Sequence, residues 1–347
     1  MQARSRCSGG IDLEKLRITV IGGGIIGLWQ ALTLALRGHE VSLREAAEQT
    51  YSGAASRVAG AMLAPYCESE SAHPVVRKLG LRGLELWQQF EPALLVRGTL
   101  VVAAQRDESE LARFARMTHG HQHLDQTGIG HLEPILADRF RHGLYFTDEA
   151  HVPPRAAMNS LIGALLNLGV DVRFSNPIAE PVWLAAPAGG IVIDCRGLAA
   201  RSDRTPLRGV RGEMAVVQES TLNLSRPVRL LHPRFPIYIV PWGNDVYMIG
   251  ATMIESDSPA GVTLRSALEL MSAACAVHPA FLDARITEYS VGVRPAFDDN
   301  VPKIGACGKC ISVIGAYRHG FLLAPVLAEM VADHLEHGQA VPLELRN

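Results

Sequence analysis

The chain has 347 residues and a formal net charge of −2, with 48% hydrophobic and 20% charged residues. That length suits one large unit or two intimate ones, because single cores stop growing at about 250–300 residues. The composition excludes a fibrous or disordered chain, and the near-neutral charge leaves no basic stripe for nucleic acid.

Met1 to Leu16 are polar and mixed in charge, lack the apolar run of a signal peptide, and read as a loose extension (1–16) of a cytoplasmic protein. Arg17 to Ile21 is a short β-branched strand. The run Gly22-Gly23-Gly24-Ile25-Ile26-Gly27 follows, then a predicted helix from Leu28 to Arg37 that Gly38 stops. Val41 to Arg44 is a second strand, ending at Glu45. Ile18 to Leu36 is apolar enough to suggest a membrane span, but its three consecutive glycines and the polar continuation to Glu40 fit strand, turn and helix better.

A small-residue stretch runs from Ser52 to Ala64. Periodicity then predicts helices over Leu79–Phe90, Glu108–Met117 and Leu161–Leu168, with strands over Thr99–Ala103, Val170–Phe174 and Ile191–Cys195. The second half reads as successive strands, Glu213–Gln218, Val228–Leu231, Ile237–Val240 and Val246–Ala251, then a helix over Arg265–Cys275. Buried strands return at Ile304 and Ile311–Ile314, and Leu323 to Glu336 is a closing helix. No repeat or low-complexity tract is present.

Six cysteines are scattered, as in a protein that keeps its thiols reduced. Cys307-Gly-Lys-Cys310 has metal or redox spacing but no second pair, so two cysteines flanking a hairpin is the expected reading. His119, His121 and His123 alternate in a polar stretch with Gly120 and read as a solvated loop. No metal site is expected.

The glycine run carries the first functional signal. G-x-G-x-x-G alone is weak, but here a strand precedes it, a helix follows and an acid stands about 18 residues on. Gly22 permits the tight turn, Gly24 the approach of a pyrophosphate, and Gly27 close helix–strand packing. Free N–H groups of Ile25 and Ile26 at the helix start favour the pyrophosphate charge, and Glu45 is placed for ribose hydroxyls. This pattern leaves NAD and FAD both open.

Further motifs narrow the choice. Ala55-Ser56-Arg57-Val58-Ala59-Gly60-Ala61-Met62-Leu63-Ala64-Pro65, Gly209-Val210-Arg211-Gly212-Glu213-Met214, Tyr238-Ile239-Val240-Pro241 and Gly250-Ala251-Thr252-Met253 occur in order. They are followed by Gly292-Val293-Arg294-Pro295 with Asp298-Asp299-Asn300-Val301-Pro302, and by Gly315-Ala316-Tyr317-Arg318-His319-Gly320-Phe321-Leu322-Leu323-Ala324-Pro325. From Ile18 onward the chain resembles the D-amino-acid-oxidase-like flavoproteins, most of all the glycine oxidases of thiamine biosynthesis.

The resemblance implies an α/β fold: a Rossmann-like FAD-binding domain (17–85, 150–205 and 286–347) with an inserted antiparallel-sheet substrate domain (86–149 and 206–285). It implies oxidative deamination of glycine, with FAD as cofactor, oxygen as acceptor and a homo-oligomeric state. D-amino-acid or sarcosine oxidoreductases, a quinone-linked dehydrogenase and a non-catalytic flavin-bound redox sensor are the alternatives. Arg294-Pro295 is followed by Ala296-Phe297-Asp298, without the cysteine of covalent relatives, so the FAD is expected to be non-covalent.

For the site, the resemblance implies Arg294 as the clamp on a substrate carboxylate, a role that a planar guanidinium fork suits. The competing reading is a salt bridge to Asp298 or Asp299. Arg318 either contacts the carboxylate or steadies the flavin loop, Tyr238 borders the pocket, and Met253 forms a wall or is plain core. Ser56, Gly60 and Met62 belong to the segment expected under the flavin. The segment Arg318 to Leu322, with His319, Gly320, Phe321 and Leu322 as cofactor-binding residues, is expected to present backbone N–H groups to it, Gly197 to lie near the nucleotide and Ile178 near the adenine. The sequence departs from its relatives at Ala61, Arg196, Trp242 and His319.

Overall fold

The computed structural model describes residues 15–49, 53–91, 94–178, 182–202 and 206–346. The expected extension thus lies outside the described residues except for Lys15 and Leu16, as does Ser52.

The chain opens with β1 (Arg17–Ile21), α1 (Ile25–Leu36) and β2 (Glu40–Arg44), a parallel βαβ unit. Then come β3 (Met62–Leu63), α2 (Pro65–Glu68), α3 (Pro74–Phe90), β4 (Thr99–Ala103), α4 (Glu108–Met117), β5 (Gln122–Asp125) and α5 (Gln126–Leu132). β6 (His142–Phe146), β7 (Ala150–His151), α6 (Pro154–Asn167), β8 (Asp171–Arg173) and β9 (Ile191–Asp194) complete the first half. The second half holds β10 (Arg208–Gln218), β11 (Val228–Leu231), β12 (Ile237–Gly243), β13 (Val246–Gly250), β14 (Ile254–Glu255) and α7 (Leu264–Val277). β15 (Arg285–Ala296), β16 (Lys303–Cys307), β17 (Cys310–Ile314) and α8 (Gly320–His337) close it.

Two sheets organise these elements. The first runs β16-β17-β9-β1-β2-β8, parallel except for the antiparallel edge strand β16. Its strands are short and β-branched, and with α1, α3, α6 and α8 they form the largest apolar core. The second runs β14-β10-β13-β12-β11-β4-β6-β5, mostly antiparallel, with β15 on the other edge of β10. A second core joins this sheet to α7. The architecture is the expected mixed α/β fold, with one parallel and one antiparallel sheet.

Several helices begin earlier than the apolar periodicity predicts, and local chemistry explains each shift. α1 starts at Ile25, not Leu28, because Gly24 takes the N-cap position in an extended conformation. Gly27 therefore sits inside the helix. α3 and α6 start at Pro74 and Pro154, where proline lacks only an N–H that the first turn leaves unpaired. His73 adds a cap by accepting the Val75 N–H.

α8 starts at Gly320 and carries Pro325 within it. Proline has no N–H for the carbonyl four residues back, so Phe321 O loses its helical donor. Trp87 of α3 replaces it, donating Nε1–H to Phe321 O at 2.7 Å in a buried position. Gly83 permits this approach, since a Cβ there would lie 2.0 Å from Leu322 O. Trp87→Phe is expected to strand that carbonyl and lower stability by about 1–3 kcal/mol, the cost of a buried unpaired acceptor. Urea unfolding checks this; an unchanged midpoint would show that the carbonyl has another partner.

Cys307 and Cys310 face each other across the β16–β17 hairpin without a disulfide between them, flanking the turn as expected. His123 belongs to β5 rather than to a loop, and the His121 ring packs on His123 and Phe146. His119 and Gly120 are exposed outside any strand, as a solvated loop would be, and pairing of β5 with β6 corrects that expectation from Gln122 onward. Among the described residues no group of three or more His, Cys, Asp or Glu side chains is arranged to hold a metal ion. Nor is any helix among them long and apolar enough to cross a membrane.

Candidate active site

The ends of β1, β2 and β9 meet at the glycine turn. Gly22 has φ +103°, a left-handed value that favours glycine, and a Cβ there would lie 2.6 Å from Cys195 O. A Cβ on Gly27 would lie 1.8 Å from Gly22 O, so α1 can sit this close to the turn only without a side chain at that position. Gly24 faces Ser56, whose Oγ accepts the Ile25 N–H at 3.1 Å. Glu45 turns its carboxylate back on the turn, accepting Gly23 N–H at 2.5 Å and Ala47 N–H at 2.8 Å. Glycines 22, 24 and 27, Ile25, Ile26, Ser56 and Glu45 are thus brought together.

A second N-terminus stands at α8. His319 is its N-cap residue but makes no side-chain cap bond. The first N–H groups of a helix have no intrahelical acceptor, so the amides of Gly320, Phe321 and Leu322 have no partner within the helix. The side chains of Phe321 and Leu322 are buried core, which leaves only their backbone for a ligand.

Gly60 lies against the substrate-side sheet: a Cβ there would be 2.8 Å from both Tyr238 Cε2 and Met248 Cε. Met62 pairs with His151 in the small β3–β7 sheet. Gly197 opens a 3-10 turn directly after β9 with φ +60°. Ile178 packs with Ile21, Val182 and Val192 beside that strand.

This donor set fits a flavin dinucleotide. It offers a glycine turn with no room for a Cβ at Gly22 or Gly27, a helix start for phosphates, a carboxylate beside it for ribose, and a second helix start for a carbonyl that gains charge on reduction.

On the opposite side, Arg294 of β15 stretches across β10 where Gly212 offers no side chain; a Cβ on Gly212 would lie 2.2 Å from its guanidinium. Arg294 donates to Thr252 O at 3.2 Å. Among the described residues it makes no ion pair. Asp299 is engaged by Lys303 at 2.6 Å instead, so the salt-bridge alternative for Arg294 is not the one adopted.

Arg318 is committed. Its guanidinium meets the Glu68 carboxylate at 2.8 Å and the Ser71 hydroxyl at 2.9 Å. Burial opposes the Glu68 charge, but Arg318, His319 and Arg229 outweigh it and hold the carboxyl at about 2. His319 is 3% exposed with Nδ1 3.3 Å from Glu68. Burial, opposed by Glu68 and reinforced by Arg318 and Arg294, lowers its pKa to about 4, so the ring is neutral near pH 7.

Met253, 54% exposed, is no core residue: its Sδ faces Tyr317 Oη at 3.4 Å and an Arg318 nitrogen at 3.7 Å. Trp242 lies against Arg155, whose guanidinium is 5.6 Å from its ring, and packs with Tyr238 on the cluster of Met214, Val216 and Met248.

Sequence reasoning missed Glu68, Ser71 and Thr252 as partners of the two arginines. Glu68 lies three residues beyond the motif ending at Pro65, in a stretch whose alternating polar residues carry no periodic signal.

The sequence model of the FAD dependent oxidoreductase family (DAO) matches residues 17–334. The chain belongs to this family. It is 48% identical over 338 residues to a Rhizobium etli protein provisionally named thiamine biosynthesis oxidoreductase ThiO, covering 93% of this chain and 98% of that one. A glycine oxidase of Bacillus licheniformis is 24% identical over 348 residues, 90% of this chain and 91% of its own. The solved glycine oxidase of Bacillus cereus shares the fold, with a TM-score of 0.78 at 21% identity over 94% of this chain and 96% of that one. This FAD-dependent oxidoreductase is thus of the ThiO and glycine oxidase type.

Proposed function

We propose that this FAD-dependent oxidoreductase oxidises glycine, or an amine of similar size, to its imine, which supplies thiazole formation in thiamine synthesis or hydrolyses to glyoxylate and ammonia. Oxygen is the proposed acceptor, with hydrogen peroxide as product. The names of the ThiO and glycine oxidase relatives support this reading.

The observation that carries it is the contrast between the two arginines. Arg318 is neutralised by Glu68, whereas Arg294 is half-buried and, among the described residues, makes no ion pair and donates to the Thr252 carbonyl. An unpaired guanidinium in a part-buried setting is the natural partner of a small carboxylate. When bound, non-covalent FAD accepts a hydride equivalent from the amine-bearing carbon and passes two electrons to the acceptor. The chain's own task is to place that carbon: Arg294 holds the carboxylate, the Tyr238 hydroxyl donates to it, and Met253 with Tyr317 limits the side chain. No acid or base is required of the protein if the amine is bound neutral, and the neutral His319 adds no positive charge to oppose hydride loss.

In the proposed domain division the last boundary, at 285/286, falls at the start of β15, the strand that delivers Arg294.

Anaerobic titration of the purified yellow protein with glycine, sarcosine and D-alanine tests the proposal. Bleaching by glycine, reversed by air with peroxide release, is the expected result. Bleaching by D-alanine alone would move the protein to D-amino acids, and no bleaching by any amine would sink the reading.

A further inference from the structure

The substrate side rests on a strap, residues 65–71, that is tied at three places. Glu68 goes to Arg318 and His319. Glu70 goes to Arg113 at 2.8 Å and to Arg229 at 3.2 Å. The third tie comes from beneath. Glu149, fully buried just before β7, accepts the Tyr66 N–H at 3.0 Å and the Cys67 N–H at 2.7 Å through one oxygen.

The second oxygen of Glu149, Oε2, is buried without a hydrogen-bond partner among the described residues, as is Thr99 Oγ1 close by on β4. A buried polar atom without a partner is costly and seldom kept without a role. A fully buried carboxyl bonded to the two amides that precede Glu68 acts through what it holds.

We propose that Glu149 is a positioning residue: by capping the Tyr66 and Cys67 amides from the buried side, it sets where Glu68 meets Arg318 and His319, and so tunes the carboxylate-binding end of the substrate site. This rests on the reading of that site as one for a small carboxylate.

The groups facing Glu149 are few. Cys67 and Glu68 come from α2 and Thr99 from β4, while Arg229 of β11 acts on Cys67 and Glu68. His151, two residues along, is buried, and burial holds it down to about 4. Burial pushes Glu149 up to about 7, against the opposing pull of the nearby Thr99 hydroxyl and of the hydrogen bond from Cys67. Glu68 and His319 titrate far below that, and burial pushes the Cys67 thiol well up. Glu149 is therefore the group in this cluster that changes charge near neutrality. Ionised, it makes charge-assisted bonds to the two amides, roughly twice as strong as neutral ones.

Linkage gives a first readout that needs no ligand. The folded pKa is raised, so the contribution of Glu149 to stability is fully present below the unfolded value of 4.5, is lost as pH rises to about 7, and is flat above. Wild type should therefore lose melting temperature across that interval relative to Glu149→Gln.

The deciding experiment titrates the FAD-loaded protein with glycolate between pH 5.5 and 8.5, read by the flavin visible spectrum. Glycolate keeps the carboxylate and has no amine to titrate. The expected result is binding about three- to tenfold tighter above pH 7 than below it in wild type, a ratio in keeping with the stronger charge-assisted cap. The step should be absent in Glu149→Gln. Should that variant fold poorly, Glu68→Gln, which breaks the relay while leaving Glu149 in place, must also lose the step. A step that persists in either variant, a wild type with no step, or a step of opposite sign would overturn the proposal. Glycolate that leaves the wild-type spectrum unchanged at every pH would instead sink the carboxylate reading of the site, and this inference with it.

Discussion

Replacing Arg294 by alanine is expected to raise the apparent KM for glycine and the Kd for glycolate by about 100-fold to 1000-fold. Arg294 reaches over Gly212 with Thr252 O as its partner and, among the described residues, no ion pair to an acid. A charged hydrogen bond contributes about 1.5–3 kcal/mol, and a guanidinium fork makes two of them to a carboxylate. Loss of roughly 3–4 kcal/mol corresponds to that range, since about 1.4 kcal/mol is a factor of ten. Lysine at 294 should restore only part of the affinity, because an ammonium is a point charge without the fork. The flavin spectrum and the melting temperature should stay close to wild type, because no ion pair is lost. Steady-state kinetics and glycolate titration read the effect. Unchanged affinity for both ligands would remove Arg294 from the site and leave Arg318, already paired with Glu68, as the next candidate.

Gly27→Ala should abolish flavin retention. The added Cβ would lie 1.8 Å from Gly22 O, where ordinary contact needs roughly twice that distance, so α1 must slide away from the glycine turn. Overpacking of this kind costs about 1–3 kcal/mol even in cores that can relax. Here it also withdraws the start of α1, with the Ile26 amide, from the place a phosphate would occupy. The expected outcome is a folded protein, with far-ultraviolet circular dichroism retained, that emerges colourless from gel filtration. Full yellow colour at wild-type ratio to protein would mean that the turn relaxes around a methyl group and that close packing there is dispensable. Gly24→Ala is the informative contrast: its Cβ would meet only Ser56 Oγ, at 3.5 Å. Whatever flavin it loses would then report on the cofactor's approach rather than on a backbone clash.

The nucleotide half of the site was legible because its requirements are local. A strand, a glycine turn, a helix and an acid within about thirty residues are adjacent in sequence and in space, so the pattern carries nearly the whole geometry. The substrate half was legible only as motifs. β15 went unrecognised as a strand, although it is twelve residues long and carries Arg294. It is an edge strand with mixed polarity, most of its residues partly or wholly exposed, and Gly292 and Pro295 within it read as breakers. Only pairing along the whole of β10 makes it a strand.

The early helix starts have a related cause. Apolar periodicity reports the buried face and not the first turn, where caps and prolines decide the boundary. α8 is the clearest case. Pro325 argues against a helix by itself, and the helix holds because Trp87, 238 positions earlier in sequence, supplies a donor to the carbonyl that proline leaves unpaired.

By itself, then, the sequence determined the chemistry the chain can offer: a dinucleotide turn with its ribose acid, two arginines and a tyrosine in separate motifs, and a cofactor segment rich in small residues. The turn and its acid follow from residue type and short spacing, and the arginines, the tyrosine and the cofactor segment from resemblance to a known family; neither needs a fold to be read. Which arginine is free and which is spent was decided only by the tertiary structure. Glu68 and Arg318 are 250 positions apart, and Glu149 reaches the Cys67 amide across 82. Charge pairing acts through space over a few ångströms, and a sequence does not record which distant residues will be that close.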